Sequence, residues 1–170
     1  MVKRLYLLRH AKSSWKHPEL ADHDRPLAGR GRRATKAIAR HLRERQITPE
    51  LVLCSTARRA RETLERIEPA LATADVRHEP QLYGASADVL FERLRALPDD
   101  VASVMLIGHN PAIEQLALDL ARPSPERREL EAKFPTAGLA TLEFVGPSWR
   151  DVNRGGAELI SLVRPRDLEA

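Results

Sequence analysis

The stretch "ASVMLIGHNPAIEQLALDLA" occupies residues 102–121. Its first seven residues are a run of apolar strand formers. From Pro111 onward the apolar residues recur at helical spacing, with proline in the first turn. Between the two halves sits His109-Asn110. One buried strand, one polar junction and one amphipathic helix make a single β–α unit. Reading outward, the same alternation returns. "RLYLL" (4–8), "LVLCS" (51–55) and the weaker "VRHE" (76–79) read as strands. Residues 31–46, 57–71 and 86–97 read as amphipathic helices, capped by Ser55-Thr56 and Ser86 where they follow those residues. "GLATLEFV" (138–145) and "AELISLV" (157–163) read as closing strands joined by the turn-rich "GPSWRDVNRGG". Residues 9–29 read as a polar loop broken by Pro18 and Pro26, and 122–136 as a surface loop or short helix.

Strands alternating with helices imply an α/β fold, a three-layer α/β/α sandwich around a mostly parallel sheet. With 170 residues, 42% of them hydrophobic, the chain is expected to form one domain over 1–170 with a real core. No linker or internal repeat interrupts it. In such sheets ligands bind beyond the carboxyl ends of the strands. The residues that follow each strand therefore carry the functional information.

Charge and composition narrow the classes. The net charge is +4, from 28 Lys and Arg against 24 Asp and Glu. The arginines interleave with glutamates, as in "RRARETLERIE" (58–68), the pattern of solvated helix faces. Aromatic residues are only 4%, too few for a row of base-stacking platforms, so no nucleic-acid partner is expected. The single cysteine, Cys54, cannot form an internal disulfide, which suits a reducing compartment. The N-terminal apolar run is too short for a signal peptide and no stretch is long enough to span a membrane. A cytoplasmic protein is the expectation.

Three strand ends carry unusual chemistry: Arg9-His10 after the first, "CSTARRARET" at the second, and His109-Asn110 after the strand at 102–108. If those strands are neighbours, two imidazoles and at least two guanidiniums converge. Arginine offers forked, permanently charged donors that match phosphate oxygens. A neutral imidazole beside them can act as a nucleophile toward phosphorus. Phosphoryl transfer asks mainly for positioning and charge stabilisation, which this set supplies. Other motifs fail. Neither GxGxxG nor GxxxxGK[ST] is present. A cysteine-phosphatase loop would need arginine where Ala60 stands. His17, Asp22, His23 and Asp24 match no metal-ligand spacing. No metal and no organic cofactor is expected.

On these residues the chain resembles the histidine phosphatase superfamily, with its phosphoglycerate-mutase-like fold. "LLRHAKS" is similar to the family's Arg-His-Gly signature, with Ala11 in place of glycine. "STARRARET" matches Ser-x-x-x-Arg-Ala-x-x-Thr through Ser55, Arg59, Ala60 and Thr63, and "IGHNP" matches the second-histidine motif. The resemblance implies that His10 is the phosphorylated nucleophile, that Arg9 and Arg59 bind the phosphoryl group, and that His109 completes the pocket. Ser13 matches a family position near the phosphate and is implied as substrate-binding; Asn110 is expected to bind substrate too, because the helix start after it adds backbone donors and a favourable dipole. The short SixA-type phosphohistidine phosphatases are the nearer likeness, through "DHDRPLAGRGRR", "LYGAS" and "GHNPAIEQLA".

Two departures bear on the substrate. Lys16 stands where related mutases often carry asparagine. No carboxylate lies between Glu79 and Asp88, where the family often places a general acid. An alkoxide leaving group needs that proton; an imidazole needs it less. Asp22 or Asp24 could reach in from the 12–28 loop, and Asp24 is the expected acid or loop anchor. The leading expectation is a phosphohistidine phosphatase, with a phosphohistidine-bearing protein as partner. The alternatives are a small-molecule phosphomonoesterase and a non-catalytic phosphate-binding module.

Overall fold

A computed structural model describes residues 1–72 and 75–168. The expected domain span of 1–170 also includes 73–74 and 169–170, which lie outside the described residues. Six strands form one sheet: β1 (Val2–Arg9), β2 (Leu51–Ser55), β3 (Asp75–Glu79), β4 (Ser103–Gly108), β5 (Leu139–Val145) and β6 (Glu158–Val163). Their spatial order is β3-β2-β4-β1-β5-β6. β1 pairs in parallel with β4, and β2 in parallel with both β4 and β3. Only β5 runs against its neighbours, pairing antiparallel with β1 and β6.

Alternation along the strands divides the core in two. Leu5 and Leu7 of β1, Leu53 of β2 and Val104 and Leu106 of β4 face one side. There they pack with residues of α3 (Ala87–Arg95), α4 (Ala112–Leu120) and α5 (Pro125–Ala132). Tyr6, Leu8, Val52, Cys54, Met105 and Ile107 face the other. They meet Ile38 and Leu42 of α1 (Gly29–Glu44) and Leu64 and Ile67 of α2 (Arg58–Ile67). A last short helix, α6 (Pro165–Leu168), lies beside α1. The result is the expected three layers.

Several boundaries differ from the sequence reading. Helix α1 starts two residues earlier than expected, at Gly29. Helix α2 stops at Ile67 because Pro69 follows, and a 3₁₀ turn takes over at Glu68–Ala70. Neither Ser55 nor Thr56 caps it; Ala57 is its N-cap and makes no side-chain cap bond. Pro111 is the N-cap of α4 rather than part of its first turn. Within 122–136 a true helix forms, α5, opened by the Ser124 hydroxyl, which accepts from the Arg127 amide, and by Pro125 at its first position. The 9–29 loop contains a 3₁₀ turn at Asp22–Asp24.

Gly31 explains how that loop is anchored. A Cβ there would stand 2.2 Å from the Lys12 carbonyl oxygen, so α1 presses directly on the chain just after His10. The Ala28 amide donates to the same carbonyl at 2.9 Å.

Candidate active site

The three motif-bearing strands are adjacent, in the order β2-β4-β1. Arg9 pairs with Gly108, and Cys54 with Ile107, so Arg9, Gly108 and Ser55 end their strands at one level. His10 and His109 follow directly, with ring centroids 5.1 Å apart. The structure thus brings together Arg9, His10, Arg59 and His109, the four residues that carried the sequence reading.

The backbone of His10 is held on both sides. Its amide donates to the Gly108 carbonyl at 3.0 Å, and its carbonyl accepts from the Ala137 amide at 3.1 Å. The next amide, that of Ala11, donates to Thr63 Oγ1 at 3.0 Å, and Thr63 in turn donates to the Arg59 carbonyl at 2.7 Å. Thr63 thereby ties the segment after His10 to the helix that carries Arg59. Ala11 is fully buried, and alanine fits where the family has glycine.

The His10 ring lies 2.8 Å from the Ala11 carbonyl through Nδ1. A carbonyl oxygen only accepts, so Nδ1 carries the proton and Nε2 keeps its lone pair. Burial pushes the pKa of His10 down to about 3, and His109, Arg59 and Arg9 add to the effect. Burial, helped by Arg59, brings His109 down to about 4. Both imidazoles are neutral near pH 7. His109 Nε2 lies 2.7 Å from Ser55 Oγ, and that oxygen accepts from the Ala57 amide at 3.2 Å, which leaves the hydroxyl proton free to point at the ring. Among the described residues, Arg9 Nε and His109 Nδ1 are buried without a hydrogen-bond partner.

The opposite wall comes from the 12–28 loop. Asp22, not Asp24, reaches the site. Its Oδ2 accepts from Arg59 Nη2 at 3.0 Å and from the Tyr83 hydroxyl at 2.6 Å, and its Oδ1 accepts from Arg25 at 3.1 Å. The Tyr83 hydrogen bond first, then Arg59 and Arg25, hold this carboxyl well below the usual carboxylate range. Asp24 is exposed and lies 3.7 Å from the His23 ring. The reason is geometric: the 3₁₀ turn sends the two carboxylates in different directions. His23 Nε2 meets Thr56 Oγ1 at 3.0 Å, and its ring stands edge-on to Tyr83, whose own ring is 5.6 Å from that of His109.

Ser13 and Asn110 have protein partners. Ser13 Oγ is buried and accepts from Arg25 Nη2. Asn110 Nδ2 donates to the Phe134 carbonyl, and its Oδ1 accepts from the Glu114 amide. Cys54 is buried, and burial pushes its thiol up to about 12. Among the described residues no group of three or more His, Cys, Asp or Glu side chains is placed to hold a metal ion. Tyr83, Thr63 and the segment around Phe134 were not singled out for a role from the sequence. "LYGAS" did mark the Tyr83 segment, but nothing local shows that its hydroxyl would meet Asp22.

The sequence profile of the histidine phosphatase superfamily (branch 1) matches residues 5–89. An uncharacterized protein of Mycobacterium tuberculosis is 38% identical over 164 residues, covering 94% of this chain and 100% of the relative. Among solved structures, a candidate phosphohistidine phosphatase SixA of Nakamurella multipartitia is 32% identical with a TM-score of 0.85, covering 97% of each chain. Its counterpart from Agrobacterium tumefaciens is 32% identical with a TM-score of 0.81, covering 96% of this chain and 98% of that one.

Proposed function

The chain belongs to the histidine phosphatase superfamily and is a phosphatase, and from that premise we propose that it hydrolyses phosphohistidine through a phosphoryl group carried on His10. Arg9 and Arg59 grip the phosphoryl oxygens as the substrate enters. The lone pair of His10 Nε2 attacks phosphorus in line with the leaving nitrogen. As the Nε2–P bond forms, the substrate P–N bond breaks and its electron pair goes to the departing ring. That ring leaves as neutral imidazole because its other nitrogen already bears a proton. Ser55 donates its hydroxyl proton toward His109 Nε2, which leaves His109 Nδ1 protonated and able to donate to the transferring group. Water then attacks phospho-His10. The P–Nε2 pair returns to the ring, and the water oxygen and both its protons leave as dihydrogen phosphate.

The observation that carries this choice of substrate is the state of Asp22. It is the carboxylate that meets the phosphate-binding Arg59, and Tyr83, Arg59 and Arg25 hold it ionised. A group so held has no proton to give an alkoxide near neutral pH. A leaving imidazole does not need one. The resemblance to two candidate phosphohistidine phosphatases supports the same reading. The partner is then a protein bearing phosphohistidine. No described helix is long and apolar enough to cross a membrane. A cytoplasmic site of action belongs to this proposal and rests on the buried, unpaired Cys54.

The test is a substrate panel of phosphohistidine peptides beside sugar phosphates. Turnover of the peptides at least about a hundredfold faster in kcat/KM is expected, from the missing acid. Faster turnover of a sugar phosphate would assign the protein to the small-molecule phosphomonoesterases instead.

A further inference from the structure

The Arg9 guanidinium owes its position to a chain segment on the far side of the sheet end. Arg9 Nη1 donates to the Phe134 carbonyl at 3.0 Å. Asn110 Nδ2 donates to the same oxygen at 3.1 Å. These two donors fill both lone pairs of that carbonyl. On the other face of the residue, the Phe134 amide donates to Glu114 Oε1 at 2.9 Å. The Glu114 amide closes the ring by donating to Asn110 Oδ1 at 3.2 Å. The Phe134 side chain is fully buried in the core beneath α4 and α5. The segment then crosses β1 again, where the Ala137 amide donates to the Arg9 carbonyl at 3.0 Å.

We propose that Glu114 and Asn110 are positioning residues that lock the Phe134 peptide as a fixed post for Arg9, and so set the affinity of the site for phosphoryl oxyanions. The inference rests on the reading of Arg9 as a phosphate-binding residue. The two peptide units that flank Phe134 are both held: the one bearing its amide by Glu114 of α4, and the one bearing its carbonyl by Asn110, just before that helix. Arg9 is therefore anchored at Nη1, while its buried Nε has no hydrogen-bond partner among the described residues. Glu114 acts on the post through the Phe134 hydrogen bond, and its charge also faces Arg9; an uncharged acceptor of the same shape keeps the first effect and removes the second. An adjacent role in capping α4 is real but does not account for the two bonds to Phe134, which leave the helix altogether.

The experiment measures binding of tungstate, as an inorganic oxyanion, by calorimetry, with thermal unfolding alongside. Glu114→Ala is expected to raise the tungstate Kd about tenfold, in the range seen when a supporting partner of a ligand-binding group is removed. Glu114→Gln retains an acceptor for the Phe134 amide and is expected to stay within about twofold of the parent. In an Arg9→Lys background, Glu114→Ala should add less than about twofold, because the post has lost its guanidinium. Should Glu114→Ala fail to fold, Asn110→Ser carries the test. It keeps an oxygen for the Glu114 amide, removes the amide donor to Phe134 without adding charge, and is expected to weaken tungstate about tenfold. Full multiplicativity of the Glu114 and Arg9 effects, or parental affinity in Glu114→Ala, overturns the post. A parent protein that binds no tungstate overturns both this inference and the phosphatase reading it rests on; binding in the parent with unchanged variants overturns the post alone.

Discussion

The two walls of the pocket are built in different ways. The wall that carries Arg9, His10 and His109 extends from two paired central strands and is fixed by backbone hydrogen bonds to Gly108, Ala137 and Gly138. The wall that carries Asp22 and His23 is a partly exposed loop, held by side chains reaching from Arg25, Arg59, Tyr83 and Thr56. The first is part of the core and cannot shift without disturbing it. The second is a set of a few polar contacts, each worth little on its own. Under the proposed function, the chemistry belongs to the rigid wall and substrate selection to the loop.

The contrast can be broken most forcefully at His10, the proposed nucleophile. His10→Ala is expected to lower kcat/KM by at least about a thousandfold while leaving thermal stability close to the parent, since the reaction loses its attacking group. Activity near the parental level in that variant would remove the covalent mechanism. Gly31→Ala tests the junction of the two walls. Its Cβ collides with the Lys12 carbonyl, so α1 or the chain after His10 must move. A loss of about 1–3 kcal/mol in unfolding free energy is expected, together with reduced turnover. An unchanged denaturant midpoint would show that the contact gives way freely.

On the loop wall the effects should be smaller. Asp22→Asn removes a charge from Arg59 but takes no proton from the reaction. Turnover of phosphohistidine is expected to fall by no more than about tenfold, the scale of one charge-assisted hydrogen bond. A loss as deep as that of His10→Ala would make Asp22 a proton donor and would undo the argument for substrate class.

The smallest effect expected concerns pH. His10 and His109 titrate in the folded protein at about 3 and about 4. The His10 ring therefore remains neutral at pH 5, and kcat/KM, with the uncatalysed rate subtracted, should not fall between pH 7 and pH 5. A halving near pH 6.5 would mean that His10 is not held neutral. Stability behaves otherwise. The unfolded imidazoles take up protons below their ordinary value near 6.5, while the folded ones resist. The stabilisation from burying them neutral is complete above that value. It is lost as pH falls through the window from there down to about 3, which a series of denaturant melts would trace.

The same contrast decides what could be read from the sequence. The rigid wall was open to reading because each motif follows a buried apolar strand, and the order of β–α units forces those strand ends onto one rim. The choice between Asp22 and Asp24 was not. Both sit in one polar loop, and the partners that select Asp22, namely Arg59 and Tyr83, lie 37 and 61 residues away. Family likeness points Ser13, and the helix start points Asn110, toward substrate, whereas Arg25 and Phe134 engage them here. Helix α5 did carry its signal, Ser124 followed by Pro125, inside a stretch whose charge and prolines read equally well as loop. The post at Phe134 could not be seen at all, since it consists of a backbone carbonyl.

The most direct test of the central claim is a single turnover of a phosphohistidine peptide, quenched in alkali, with the protein's own phosphorylation mapped by mass spectrometry. The account predicts a phosphoryl group on His10 that appears with loss of peptide phosphate and decays as inorganic phosphate is released. Complete turnover with His10 unmodified at every time point would contradict it.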